Sequence, residues 1–177
     1  DHVFTTVYEQ DSFVPVARLV WLQPHLQEQA KIAEDKQWQE LEHYVIPKRQ
    51  KERLEHQTQV GIRIYHYHTD HLGTPQELTN ALGEVVWLGY YNAWGELFDE
   101  KSFFNELDNL QVTAKQLQPI RFQGQFFDTE TSLHYNRFRY YDSDVGMFVS
   151  RDPIGLMGGD NVFAYAPNPI GWFDPLG

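Results

Sequence analysis

Apolar and polar positions alternate along this chain in short runs set apart by turn-forming residues, the pattern of antiparallel strands. Residues 3–8 and 13–21, rich in Val, Phe, Tyr and Trp, predict a strand pair with a turn at 9–12. The alternation returns at 60–68 and 84–91, with turns at Gly73-Thr74-Pro75 and Asn80-Ala81-Leu82-Gly83 between them. From Ile120 onward it resumes at short intervals, predicting strands at 120–127, 133–141, 147–150 and 162–166. Asx-rich and Gly/Pro-rich stretches punctuate these runs.

Two stretches break the period of two. Over 23–59, Leu26, Ala30, Ala33, Trp38 and Leu41 recur at helical spacing among Glu, Gln and Lys, and Pro47 interrupts them. Residues 98–119 form a second polar and weakly helical excursion. The expectation is a mainly β chain with two polar helical insertions. Its parts are strands over 1–22, an insertion over 23–59, repeat strands over 60–97, an insertion over 98–119, strands over 120–149 and a tail over 150–177.

The strands carry a degenerate repeat. Tyr91-Asn92-Ala93-Trp94-Gly95 and Tyr141-Asp142-Ser143-Asp144-Val145-Gly146 share an aromatic, an Asx and a Gly, and Asp70-His71-Leu72-Gly73 is a looser copy. The ring packs one sheet face, the Asx starts a turn, and the glycine takes a positive φ before the next strand. Such repeats bury their faces only by stacking on neighbours, so the sheet is expected to continue into chain preceding residue 1.

Composition narrows the chemistry. Twelve Phe, ten Tyr and five Trp suit a packed β protein. With no cysteine, disulfides, thiolate metal sites and cysteine nucleophiles are excluded, which fits synthesis in a reducing cytosol. The formal charge of −11 argues against nucleic-acid or anionic-membrane binding, and no apolar run reaches the roughly 20 residues of a membrane span.

At three places the sequence resembles the Rhs (YD-repeat) family. Residues 67–75 and 91–95 look like its last repeats, and Arg121 to Asp142 is similar to its core-associated segment. Ser150-Arg151-Asp152-Pro153-Ile154-Gly155-Leu156, Ala166-Pro167-Asn168-Pro169 and Asp174-Pro175-Leu176-Gly177 complete its terminal signature. The resemblance implies a β-sheet spiralling into a hollow cocoon around a toxin, closed by an inward-folding C-terminal plug. It implies synthesis in a bacterial cytoplasm, then secretion as an effector by a contact-dependent or type VI system. The partners it implies are the rest of the shell, a downstream toxin, and a secretion-system spike protein or chaperone. The family cuts itself after the Leu of Asp-Pro-Xaa-Gly-Leu. This chain stops one residue short at Gly177, so the scissile Leu and the toxin are expected beyond it.

Two Asp-Pro-Xaa-Gly units occur, at 152–155 and 174–177, and the resemblance names Asp152 and Asp174 as the cleaving pair. Proline after each Asp favours an extended Asp followed by a turn. If the tail folds back and the carboxyls meet, two such groups a few Å apart share one proton. The ionised partner then activates water while the protonated one polarises the scissile carbonyl. Arg151 is the expected orienter of Asp152. The action is intramolecular and single-turnover, needing neither cofactor nor metal.

Plainer readings stand beside these. Asp-Pro-Xaa-Gly is a common turn composition, and a plug that packs without cutting would make the chain a scaffold or adhesion module. Asp142, Asp144 and Asp160 read as turn formers. His66, His68 and His71 read as hydrogen-bonded strand and turn residues rather than a zinc site. Arg121, Arg137 and Arg139 are candidate anchors for the plug, with Arg137 and Arg139 on one strand face.

Overall fold

The computed structural model describes residues 2–22, 61–104 and 110–177. The helical insertion expected over 23–59 lies outside the described residues. Six strands form one antiparallel meander, each paired with the next: β1 (Val3–Tyr8), β2 (Pro15–Trp21), β3 (Ile62–Thr69), β4 (Pro75–Thr79), β5 (Val85–Tyr91) and β6 (Leu97–Ser102). Four short strands form a second antiparallel sheet in the order β10-β9-β8-β7: β7 (Phe126–Phe127), β8 (His134–Asn136), β9 (Arg139–Asp142) and β10 (Met147–Phe148).

One turn device builds the hairpins. In Asp70–Thr74 and Asn80–Glu84, the Asx Oδ1 accepts from the main-chain N–H groups two and four residues on. The glycine between, Gly73 or Gly83, donates back to the Asx carbonyl at φ near +80°. Most other residues at such a φ cost about 1–2 kcal/mol, so glycine is selected there. Register shifts at His68/Thr69, Leu78/Thr79 and Tyr90/Tyr91 sit beside these turns, as in three-residue hairpin loops closed by a bulge.

Buried Val20, Tyr65, Leu78, Val86 and Trp87 form the core face of the first sheet. Phe104, Leu110, Val112, Leu117 and Ile120 pack against that face. The polar, weakly helical excursion expected over 98–119 is corrected at its start, which is a strand. Residues 97–102 are β6, and the described residues of that stretch also include a helical residue at Phe104 and the short helix α1 (Ala114–Leu117). Thr113 and Gln116 close its first turn as a capping box. The predicted strand at 162–166 is also replaced, by turns with a single bridge between Met147 and Ala164.

A second core stacks Phe122, Tyr141, Phe148 and Tyr165, with the Tyr141 and Tyr165 rings 4.8 Å apart. It joins the first sheet where the Tyr141 hydroxyl donates to the Trp94 carbonyl at 2.8 Å. A side chain at Gly95 would run into the Phe122 ring, and one at Gly146 into Trp94. The tail therefore rests on the short sheet, which is itself anchored to the repeat turns.

Candidate functional site

The tail is folded by a second set of Asx turns. Asp152 Oδ1 accepts from the Ile154 N–H at 2.9 Å, and Asp174 Oδ1 accepts from Leu176 and Gly177 at 3.2 and 3.0 Å. Asn168-Pro169-Ile170-Gly171 is a third copy, with Asn168 Oδ1 accepting from Ile170 at 2.9 Å. The proline after each Asx leaves the next N–H, two residues on, free to turn inward. Sequence reading singled out two of these three units; the shared Pro-Xaa-Gly was the available signal for the third.

Each acidic turn ties down Oδ1 and leaves Oδ2 to face outward from the turn. Both Oδ2 atoms point at one nitrogen. Arg139 Nη2 lies 3.2 Å from Asp152 Oδ2 and 3.2 Å from Asp174 Oδ2. The two carboxylate oxygens thus lie within twice that distance of each other. Arg139 is 4% exposed, whereas the aspartate side chains keep 17% and 28% of their surface open. The pair is therefore reachable by solvent, and the cation behind it is not.

The tail is held by its backbone as well. The Asn136 side-chain amide donates to the Asp174 carbonyl at 2.8 Å, and the Phe138 N–H donates to Leu176 O at 3.3 Å. Gly124 abuts the Pro175 carbonyl, and Gly177 abuts the Asn136 carbonyl, both too closely for a side chain. On the other limb, the Asp152 N–H donates to Val162 O at 2.8 Å. Burial pushes the Tyr165 phenol up, and the neighbouring Asp174 charge adds to it. Beside this region a cavity of about 550 Å³ is lined by residues including Phe13, Gln125, Tyr135, Arg137 and Pro175.

The three candidate anchors separate. Arg139 reaches the carboxylates. Arg121 is buried elsewhere and donates to the Gln118 and Ile120 carbonyls. Arg137 does not share a strand face with Arg139: it occupies the hairpin turn between β8 and β9 at φ +50°, stacked on Phe138. Arg151, expected beside Asp152, has an exposed side chain, and the guanidinium paired with Asp152 is that of Arg139. Asp142 forms the expected Asx turn, accepting from Asp144 at 3.0 Å. His68 meets Thr79 Oγ1 and His71 donates to the Ile170 carbonyl, both at 2.9 Å. No group of three metal-ligating side chains gathers among the described residues.

Known proteins share this sequence and fold. A family model described as RHS protein matches residues 64–101. Double-stranded DNA deaminase toxin A of Burkholderia cenocepacia (strain H111) is 55% identical over 65% of the chain. Toxin protein Tse5 of Pseudomonas aeruginosa PAO1 is 38% identical over 98% of it. The chain spans 8% and 12% of the lengths of these two relatives. A crystal structure of TcdB2-TccC3 without its hypervariable C-terminal region superposes on 99% of the chain and covers 6% of that protein, with TM-score 0.64 at 16% identity. At that identity the likeness is one of fold.

Proposed function

This chain is a segment of a bacterial Rhs protein, and we propose that its Asp152 and Asp174 hydrolyse one peptide bond of the same polypeptide, just beyond the 174–177 turn. The observation that carries this reading is the convergence of the two aspartates, from turns of the same kind, on one buried nitrogen. In the reaction, one carboxylate takes a proton from water as its oxygen adds to the scissile carbonyl carbon. The other, protonated, donates to the carbonyl oxygen. Collapse breaks the C–N bond, and the departing nitrogen takes a proton to leave as an amine. A new carboxyl terminus remains on the shell side. Because the bond belongs to the same chain, tethering replaces a substrate-binding cleft.

In the whole protein, the two sheets would form part of a shell around a C-terminal toxin, and the cut would free that toxin inside it. The names of the relatives support a toxin context. The proposed route is synthesis in the bacterial cytoplasm followed by secretion as an effector by a contact-dependent or type VI system, with a spike protein or chaperone as delivery partner.

A non-cleaving scaffold is the second reading, and one observation favours it. Both oxygens of each aspartate are already engaged, Oδ1 by the turn and Oδ2 by Arg139, as a lock would require. Expression of the full-length protein, wild type and with Asp152→Asn or Asp174→Asn, separates the two. Self-cleavage predicts two fragments from wild type and an intact chain from each variant. An uncut wild-type chain leaves the scaffold.

A further inference from the structure

We propose that Arg139 is the positioning residue of the self-cleaving pair: its Nη2 sets the spacing of the two carboxylates and supplies the one positive charge between them. This rests on the reading of Asp152 and Asp174 as a cleaving pair. Each aspartate arrives on a tail turn whose own hydrogen bonds engage only Oδ1. What decides where the Oδ2 atoms stand relative to each other is their common partner. Among the described residues, the ion pairs of both aspartates are made with Arg139.

Arg139 is itself immobilised. Its Nη1 donates to the Val162 carbonyl at 3.2 Å, and its guanidinium lies 3.6 Å from the Phe148 ring centroid. A planar cation packed on a ring has little freedom to swing, so it serves as a fixed reference for the two carboxylates. Charge counting points the same way. One guanidinium faces two carboxyls, and the trio is neutral when one of them carries a proton. That is the protonation state aspartic hydrolysis uses. Other titratable groups nearby are the Tyr165 phenol, against Asp174, and Arg151, beside Asp152 in sequence with its side chain exposed.

The test follows self-cleavage of newly translated full-length protein over time in a pH series, comparing wild type with Arg139→Gln, Arg139→Lys, Asp152→Asn and Asp174→Asn. Displacing reacting groups by about an ångström lowers rates on the order of 100-fold, and Arg139→Gln is expected to slow cleavage by that much. Loss of the positive charge also makes the pair hold its shared proton more tightly. The alkaline limb of the Arg139→Gln profile is therefore expected at higher pH than in wild type. Arg139→Lys keeps the charge, so it should cut faster than Arg139→Gln, with its alkaline limb unmoved. Wild-type rate and profile in Arg139→Gln overturn the proposal. So does an Arg139→Lys protein no faster than Arg139→Gln at any pH, which would reduce Arg139 to packing. Cleavage that survives in the aspartate variants instead sinks the reading of the pair itself.

Discussion

Gly124 faces the Pro175 carbonyl so closely that a Cβ on Gly124 would overlap that oxygen. The contact seats the final Asp-Pro-Xaa-Gly turn on the loop before β7. Gly124 also has φ +78°, where a side chain is strained whatever the space. Gly124→Ala is therefore expected to destabilise the seated tail by roughly 1–3 kcal/mol. Limited proteolysis should then cut the tail sooner, and self-cleavage of the full-length protein should slow. A variant as resistant and as fast as wild type would contradict this.

Removing one hydroxyl should loosen the joint between the two sheets. Tyr141 is fully buried, and its OH donates to Trp94 O. Tyr141→Phe keeps the ring stack with Phe148 and Tyr165 and loses the hydrogen bond, at a cost of about 1 kcal/mol. The thermal midpoint should fall by a few degrees with the fold unchanged. No fall would mean that another donor, such as water, replaces the hydroxyl.

His134 gives the stability a pH dependence of known sign. Burial, with Arg121 adding to it, lowers its pKa from 6.5 to about 3. Its Nδ1 meets Gln125 Oε1 at 2.9 Å, so the neutral ring donates there. Below pH 6.5 the unfolded chain gains a proton that the folded ring refuses, so stability falls as pH drops from 6.5 toward 3. His134→Gln should flatten the dependence of thermal midpoint on pH, most visibly between about pH 6.5 and pH 5, above the usual carboxylate range. Parallel slopes for variant and wild type would refute this.

The third tail turn offers a control on charge. Asn168 forms the same Asx turn as the two aspartates and is not one of the two groups that Arg139 pairs with. Asn168→Asp preserves the acceptor oxygen, so stability should change by no more than about 0.5 kcal/mol. It should add no second cut to the full-length protein. A new fragment ending near residue 171 would show that the turn alone, without Arg139, suffices.

Much of this architecture was legible from alternation. The strands expected at 3–8, 13–21, 60–68 and 84–91 appear within a few residues of β1, β2, β3 and β5. β4 (Pro75–Thr79) was hidden because it begins at a proline and carries Gln76 and Glu77, which read as loop. β6 was hidden for a related reason. Its Asp99, Glu100 and Lys101 are tolerable on an edge strand and give no apolar alternation. Conversely, Val162–Ala166 looks like a strand by composition, yet the Asn161 turn bends it toward Asp152 and Arg139. At the site, the two aspartates were marked by motif. Arg139 was one of three arginines, and only the hairpin turn at Arg137, which lacks the usual glycine, separates it from its neighbour. No linear pattern encodes that distinction, because it depends on which side of a turn the chain closes.

The placement of Arg139 on β9 has a consequence in time. Both of its partners, Asp152 and Asp174, come later in the chain, and each meets it only where the tail lies back over the small sheet. A polypeptide emerging from the ribosome cannot assemble the trio early. Any bond severed there would be severed only after the tail was synthesised, so the severed product would itself certify that the small sheet and the tail had come together.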